Sequence, residues 1–131
     1  MFGYLDFLFL SYSGRIGRTT FWLSLLVLTI IECGALLILL HVTNDVVVEL
    51  TNHNDAGVAA EFFTRVVIPS LIIIALFLYP GYAIYTKRWH DRDKSGWWSL
   101  IGFVPIIGGL WLTIELGFLG GTPGSNRFGS R

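Results

Sequence analysis

Charge is scarce in this chain. Asp, Glu, Lys and Arg make up 14% of its 131 residues, against about 25% in soluble domains. Nine acidic residues balance nine basic ones, and a formal net charge of zero argues against non-specific nucleic-acid binding. Cysteine is nearly absent: Cys33 stands alone, so it forms no intrachain disulfide, and a single thiol makes no metal site. No phosphate-binding loop, dinucleotide fingerprint or zinc-ligand spacing occurs, so no cofactor is expected. Nothing repeats and no stretch is of low complexity. Asn44, Asn52 and Asn54 are outside N-x-[ST] sequons. A cleaved signal is not expected either, because residues 1–12 lack a basic start and Glu32 fills the place before Cys33 that a lipoprotein box gives to a small residue.

Apolar residues are abundant, at 53% of the chain with a mean hydropathy of +0.65. They gather into three runs, residues 21–40, 66–85 and 97–119, each near the ~20 residues that cross a bilayer as a helix. In the first run the Leu, Ile, Val and Phe side chains favour insertion by on the order of 6 kcal/mol, against a cost of roughly 3 kcal/mol for Glu32. The second run holds no charge. Pro69 is expected in its first turn, and Pro80-Gly81 is expected to kink it. The third run is broken by Pro105 and Gly108-Gly109. It is either one kinked span or a re-entrant hairpin of residues 97–104 and 105–119, tolerated where other helices shield it from lipid. Residues 1–12, rich in Phe and Tyr, read as a short interfacial helix. The expected fold is therefore all-α: one integral membrane domain over residues 1–131, a small polytopic helical bundle with two full transmembrane helices and a broken third segment.

Residues 87–98 organise the chain. This connector holds four of the nine basic residues and three of the five tryptophans, as a short loop at a membrane surface would. Arg15 and Arg18 precede the first span, whereas residues 41–65 carry Asp45, Glu49, Asp55 and Glu61 against Arg65 alone. Positive charge marks the cytoplasmic side, so the N-terminus and the 86–96 connector are expected inside and the 41–65 loop outside. A kinked third span would put the tail, with Arg127 and Arg131, outside. A re-entrant one would put it inside.

Several residues are candidates for chemistry. His90-Asp91 has the look of a His-Asp metal phosphohydrolase, but the further ligands of that chemistry are missing near it, so no catalysis is expected. The plainer reading pairs Asp91 and Asp93 with neighbouring Arg and Lys and lets Ser95 or Asp93 cap the third segment. Arg88, Arg92 and Lys94 are candidates for anionic-lipid headgroups. Glu32 and Glu115 lie in apolar runs, and intramembrane acids raise an ion path by default. The alternative is that each stays protonated or bonds a Ser, Thr or backbone group. Gly117 and Gly121 have GxxxG spacing, with chain termination the simpler role.

Three pieces of the chain resemble a known family. Gly14-Arg15-Ile16-Gly17-Arg18-Thr19-Thr20-Phe21-Trp22 is similar to its GR-x-x-R-x-x-[FY]W opening. Arg88-Trp89-His90-Asp91 with Ser95-Gly96-Trp97-Trp98 resembles its R-x-HD-x-x-x-SGWW. Gly121-Thr122-Pro123-Gly124-Ser125-Asn126-Arg127-Phe128-Gly129 looks like its GTPG-x-NR[FY]G ending. The family is domain-of-unknown-function family 805, the YhaH/YhaI-like bacterial inner-membrane proteins. Trp89 stands where that family usually has Leu, and Glu32 and Glu115 match no motif of it. The resemblance implies an integral protein of the bacterial cytoplasmic membrane with no established reaction. It also implies that Arg15, Arg18, Arg88, His90, Asp91, Asn126 and Arg127 form one site, joined in the connector by Arg92, Ser95 and Trp97. Such a polar cluster would lock the helices and bind membrane lipid, a second copy or another membrane protein. A transporter or channel subunit using Glu32 and Glu115 is the alternative.

Overall fold

A computed structural model describes residues 2–52 and 55–130, so Met1, His53, Asn54 and Arg131 lie outside the described residues. The elements are helical: α1 (Phe2–Phe9), α2 (Arg18–Val42), α3 (Asn44–Asn52), α4 (Ala56–Phe62), α5 (Ile68–Asp91) and α6 (Ile107–Leu112). A 3-10 helix, Gly96–Phe103, precedes α6, and π-helical turns Phe63–Val67 and Thr113–Phe118 follow α4 and α6. The chain divides into two compact units, one of Met1–Val27 with Tyr79–Arg131 and one of Leu28–Leu78.

Two helical runs are long and apolar enough to cross a membrane, Arg18–Val42 and Ala56–Asp91. Both outrun the apolar segments read from sequence. The second has 36 residues, roughly 54 Å at helical rise and well beyond a ~30 Å hydrocarbon core. Pro69 was expected to start a helix, yet helix continues upstream of it. Proline cannot bond the carbonyl of Arg65 four residues back, and the π-helical turn Phe63–Val67 absorbs the mismatch, with Ile68 N–H donating to Phe63 O. α5 also runs on through Pro80.

In the Leu28–Leu78 unit, residues 43–65 are mostly helix rather than a loop. Asp55 caps α4 by accepting from Val58 N–H at 2.9 Å. Arg65 pairs with Glu61 at 2.8 Å and Asp45 at 3.3 Å, all three exposed, so these pairs contribute little.

The other unit contains the connector, and here the sequence expectation needs correction. Residues 87–91 are not a surface loop. α5 continues through Asp91, and Lys87, Arg88, Trp89 and Asp91 are all 0% exposed. The third apolar run is a hairpin: the 3-10 arm leads to a turn in which Ile106 adopts a left-handed backbone (φ 66°), and α6 with its π turn leads back. Gly108 is where the arms touch, since a Cβ there would stand 1.9 Å from Ile101 O. Lys94 at the start of the hairpin pairs with Glu115 near its end, so both ends lie together. The side chains at the turn are bare, with Phe103 84% exposed.

Lys87 fixes α1. Its ammonium donates to Phe7 O and Leu8 O, both at 2.7 Å, and to Ser11 O at 2.6 Å. Phe7 O and Leu8 O are among the carbonyls that a helix C-terminus leaves without partners, at the negative end of its dipole, and Ser11 O lies just beyond it. Lys87→Met keeps the length and removes the charge. It is expected to cost about 1–3 kcal/mol and to raise hydrogen exchange selectively in residues 4–11; unchanged exchange there would show that α1 docks without it.

Candidate functional site: a buried guanidinium–carboxylate knot

Asp91 ends α5 between two arginines. One carboxylate oxygen accepts from Arg15 Nε at 3.3 Å and Nη2 at 3.1 Å, and the other accepts from Arg88 Nη1 at 2.6 Å. All three side chains are at most 1% exposed. Two guanidiniums against one carboxylate leave a surplus positive charge, which is untenable away from water unless other acceptors meet it. Backbone carbonyls do so. Arg15 donates to Thr122 O (2.8 Å), Gly124 O (2.6 Å) and Gly129 O (3.0 Å), and Arg88 donates to Leu116 O (2.7 Å) and Leu119 O (2.5 Å).

The end of the hairpin is capped in the same way. Five consecutive carbonyls each accept from a side chain: Leu116 from Arg88, Gly117 from Trp22 Nε1 (3.2 Å), Phe118 from Arg18 (3.0 Å), Leu119 from Arg88 and Gly120 from Arg92 (2.9 Å). A helix leaves its last carbonyls unpaired; Leu116, Gly117 and Phe118 close the π turn, and Leu119 and Gly120 follow it directly. Arg18 and Trp22 lie four residues apart on one face of α2, so the spacing of the first motif matches adjacent carbonyls. Gly117 is needed there, because a Cβ would stand 2.5 Å from the Trp22 ring. That seat explains Gly117 better than chain termination does. Gly121 lies beyond the helix, so the GxxxG pair shares no helix face.

The tail docks through the third motif. Thr122 donates to Asp91 O from its N–H (2.8 Å) and its hydroxyl (3.1 Å). Asn126 Nδ2 donates to His90 O at 2.8 Å. Phe128 stacks on the His90 imidazole, 3.7 Å between centroids and 6° from parallel. His90 Nδ1 meets Gly14 O at 3.2 Å. A carbonyl only accepts, so Nδ1 carries the proton. Arg127 bonds Asp93 O at 2.7 Å and pairs with its carboxylate at 3.3 Å, largely in solvent.

Arg15, Arg88, His90, Asp91 and Asn126 share one bonded network, while Arg18 and Arg92 join it through the hairpin end. Arg88 is 0% exposed with its donors used internally, which removes it from headgroup contact. Ser95 occupies the cap position of the 3-10 arm but makes no side-chain cap bond. Trp97 is 73% exposed. Glu115 was read from sequence as part of an ion path or, in the alternative, as protonated or bonded to a Ser, Thr or backbone group. Instead it pairs with Arg92 at 3.1 Å and with Lys94. Glu32 belongs to the other unit and is half-buried. Lys87 and Thr122 were not singled out from sequence. Thr122 lies inside the third motif, whereas Lys87 looks like any other connector base. Among the described residues no group of three or more His, Cys, Asp or Glu is placed to hold a metal ion.

Comparison with known proteins agrees in kind. No solved structure matches the chain. Inner membrane protein YhaI of Escherichia coli K12 is 32% identical over 123 residues, 93% of this chain and 86% of the relative. Inner membrane protein YhaH of the same strain is 46% identical over 56 residues, so that match spans 43% of this chain and 45% of YhaH. A family model described as protein of unknown function (DUF805) matches residues 9–130. That range takes in all three motifs and the knot they build, and the chain belongs to the DUF805 family.

Proposed function

We propose that the chain is a non-catalytic module of the bacterial inner membrane, in which the knot anchors a re-entrant hairpin and presents a polar face to the cytoplasm for anionic lipid or a membrane-protein partner. The observation behind this reading is the run of five carbonyls at residues 116–120, each accepting from Arg18, Trp22, Arg88 or Arg92. Groups that a reaction would need free are occupied in holding the backbone. Asp91 is enclosed by two arginines, and Glu115 is neutralised by two cations, which weighs against a proton path through it. In this threading the N-terminus, the connector and the tail are cytoplasmic, and residues 41–65 are outside.

A reporter fused after Arg131 tests the threading. Green fluorescence from a cytoplasm-dependent fusion, with an alkaline phosphatase fusion inactive, is expected. Arg88→Glu tests the knot, because it sets a second carboxylate beside Asp91 and the carbonyls. Loss of the folded protein from membranes is expected. An outward-facing tail, or an Arg88→Glu protein that assembles normally, would overturn the reading.

A further inference from the structure

We propose that the cleft where the 3-10 arm begins binds a phosphate group, carried by a phospholipid headgroup or by a soluble phosphate ester. The cleft holds about 360 Å³ and is lined by Tyr12, Tyr82, Thr86, His90, Ser95 and Trp97, with Gly96 at its floor. Three hydrogen-bonding groups at the arm's N-terminus are unused among the described residues: the N–H groups of Gly96 and Trp97, and the Ser95 hydroxyl. Converging N–H groups at the positive end of a helix favour an anion.

A second feature points the same way. Thr86 is 6% exposed and its hydroxyl has no partner. Thr43, Thr64 and Thr113 bond the carbonyl four residues back, at 2.8, 3.1 and 2.8 Å, but Thr86 does not. Its side chain packs against Gly96, where a Cβ would stand 2.6 Å from the hydroxyl oxygen and 2.7 Å from the methyl carbon. Gly96 thus leaves room for Thr86 beside the arm's N-terminus, and Thr86, Ser95 and Trp97 line the same cleft. No carboxylate lines that space, so nothing there repels an anion or recruits a cation. His90 spends Nδ1–H on Gly14 O, so its neutral ring offers the cleft no N–H donor. Tyr82 donates to Gly96 O at 3.2 Å and braces the floor. The Trp97 ring is exposed beside the cleft, and Trp is a side chain enriched at headgroup depth. The lipid source rests on the membrane threading proposed above; the phosphate chemistry does not.

The test uses the full chain, delipidated in an uncharged detergent and titrated with dihexanoyl phosphatidylglycerol, inorganic phosphate and dihexanoylglycerol, with binding followed by native mass spectrometry and melting temperature. Phosphatidylglycerol is expected to bind at least about tenfold more tightly than dihexanoylglycerol. Thr86→Val and Ser95→Ala are each expected to weaken it about tenfold, the loss of one hydrogen bond to a charged group. Thr86→Val should also leave the unliganded melting temperature unchanged or raised, since it replaces a buried hydroxyl that has no partner. Inorganic phosphate binding as well as phosphatidylglycerol would identify a soluble ester, and a clear lipid advantage would identify a headgroup; either supports the site. Equal binding of dihexanoylglycerol, or unaltered binding by a folded Thr86→Val protein, would overturn it. Phosphate binding by a chain whose tail faces outward would leave this site standing while the proposed threading fell.

Discussion

Asp91→Asn is expected to destabilise the protein by about 3–5 kcal/mol, the cost of stranding a buried charge by removing its partner. Two guanidiniums are stranded here, Arg15 and Arg88, both closed off from water. The amide keeps the shape of the carboxylate, but its NH₂ group would face an arginine donor. The loss should spread beyond α5, because Arg15 also holds Thr122, Gly124 and Gly129. Thermal melting in detergent and proteolysis of the 120–130 tail are the measurements, and both should worsen together. Asp93→Asn is the control: its partner Arg127 is 59% exposed, so a change of less than about 1 kcal/mol is expected. Equal melting of the two variants would mean that the knot contributes no more than a surface pair.

The second large effect is expected at Gly108. A methyl group there would stand 1.9 Å from Ile101 O and 2.8 Å from its carbonyl carbon. Backbone atoms cannot rotate aside as a side-chain tip can, so Gly108→Ala should separate the two arms at a cost of about 3 kcal/mol or more. Gly109 is the internal comparison. A Cβ there meets nothing within 4 Å, so Gly109→Ala should be tolerated and gain about 0.5–1 kcal/mol from helix propensity. Cysteine accessibility at Phe103, at the bare turn, would report the hairpin's state. The hairpin account fails if the two alanine variants melt alike.

Much of this architecture was legible locally. The long apolar helices follow from run length and hydropathy, and the three motifs announced which residues would be concerned. Other features were hidden for identifiable reasons. Lys87 and Arg88 look like solvated connector bases because charge is ordinarily read as surface. Their burial depends on carbonyls from α1 and from the hairpin end, which the chain supplies 79 and 28 residues away. Glu115 resembles a lone acid in an apolar run until folding brings Arg92 and Lys94 beside it. The doubled reading of residues 97–119 could not be settled from Pro105 and the glycines, since a kink and a reversal use the same residues.

What the sequence alone determined is the membrane character of the chain, its helical class and the identity of the polar pieces, because hydropathy and motif spacing are properties of neighbouring residues. Only the tertiary structure decided that the third segment turns back and that one carboxylate is shared by two arginines. It alone also decided which backbone carbonyls meet the two guanidiniums. Those outcomes depend on acceptors brought together from up to 114 residues apart, and no local pattern records which orphaned carbonyl a buried guanidinium will find.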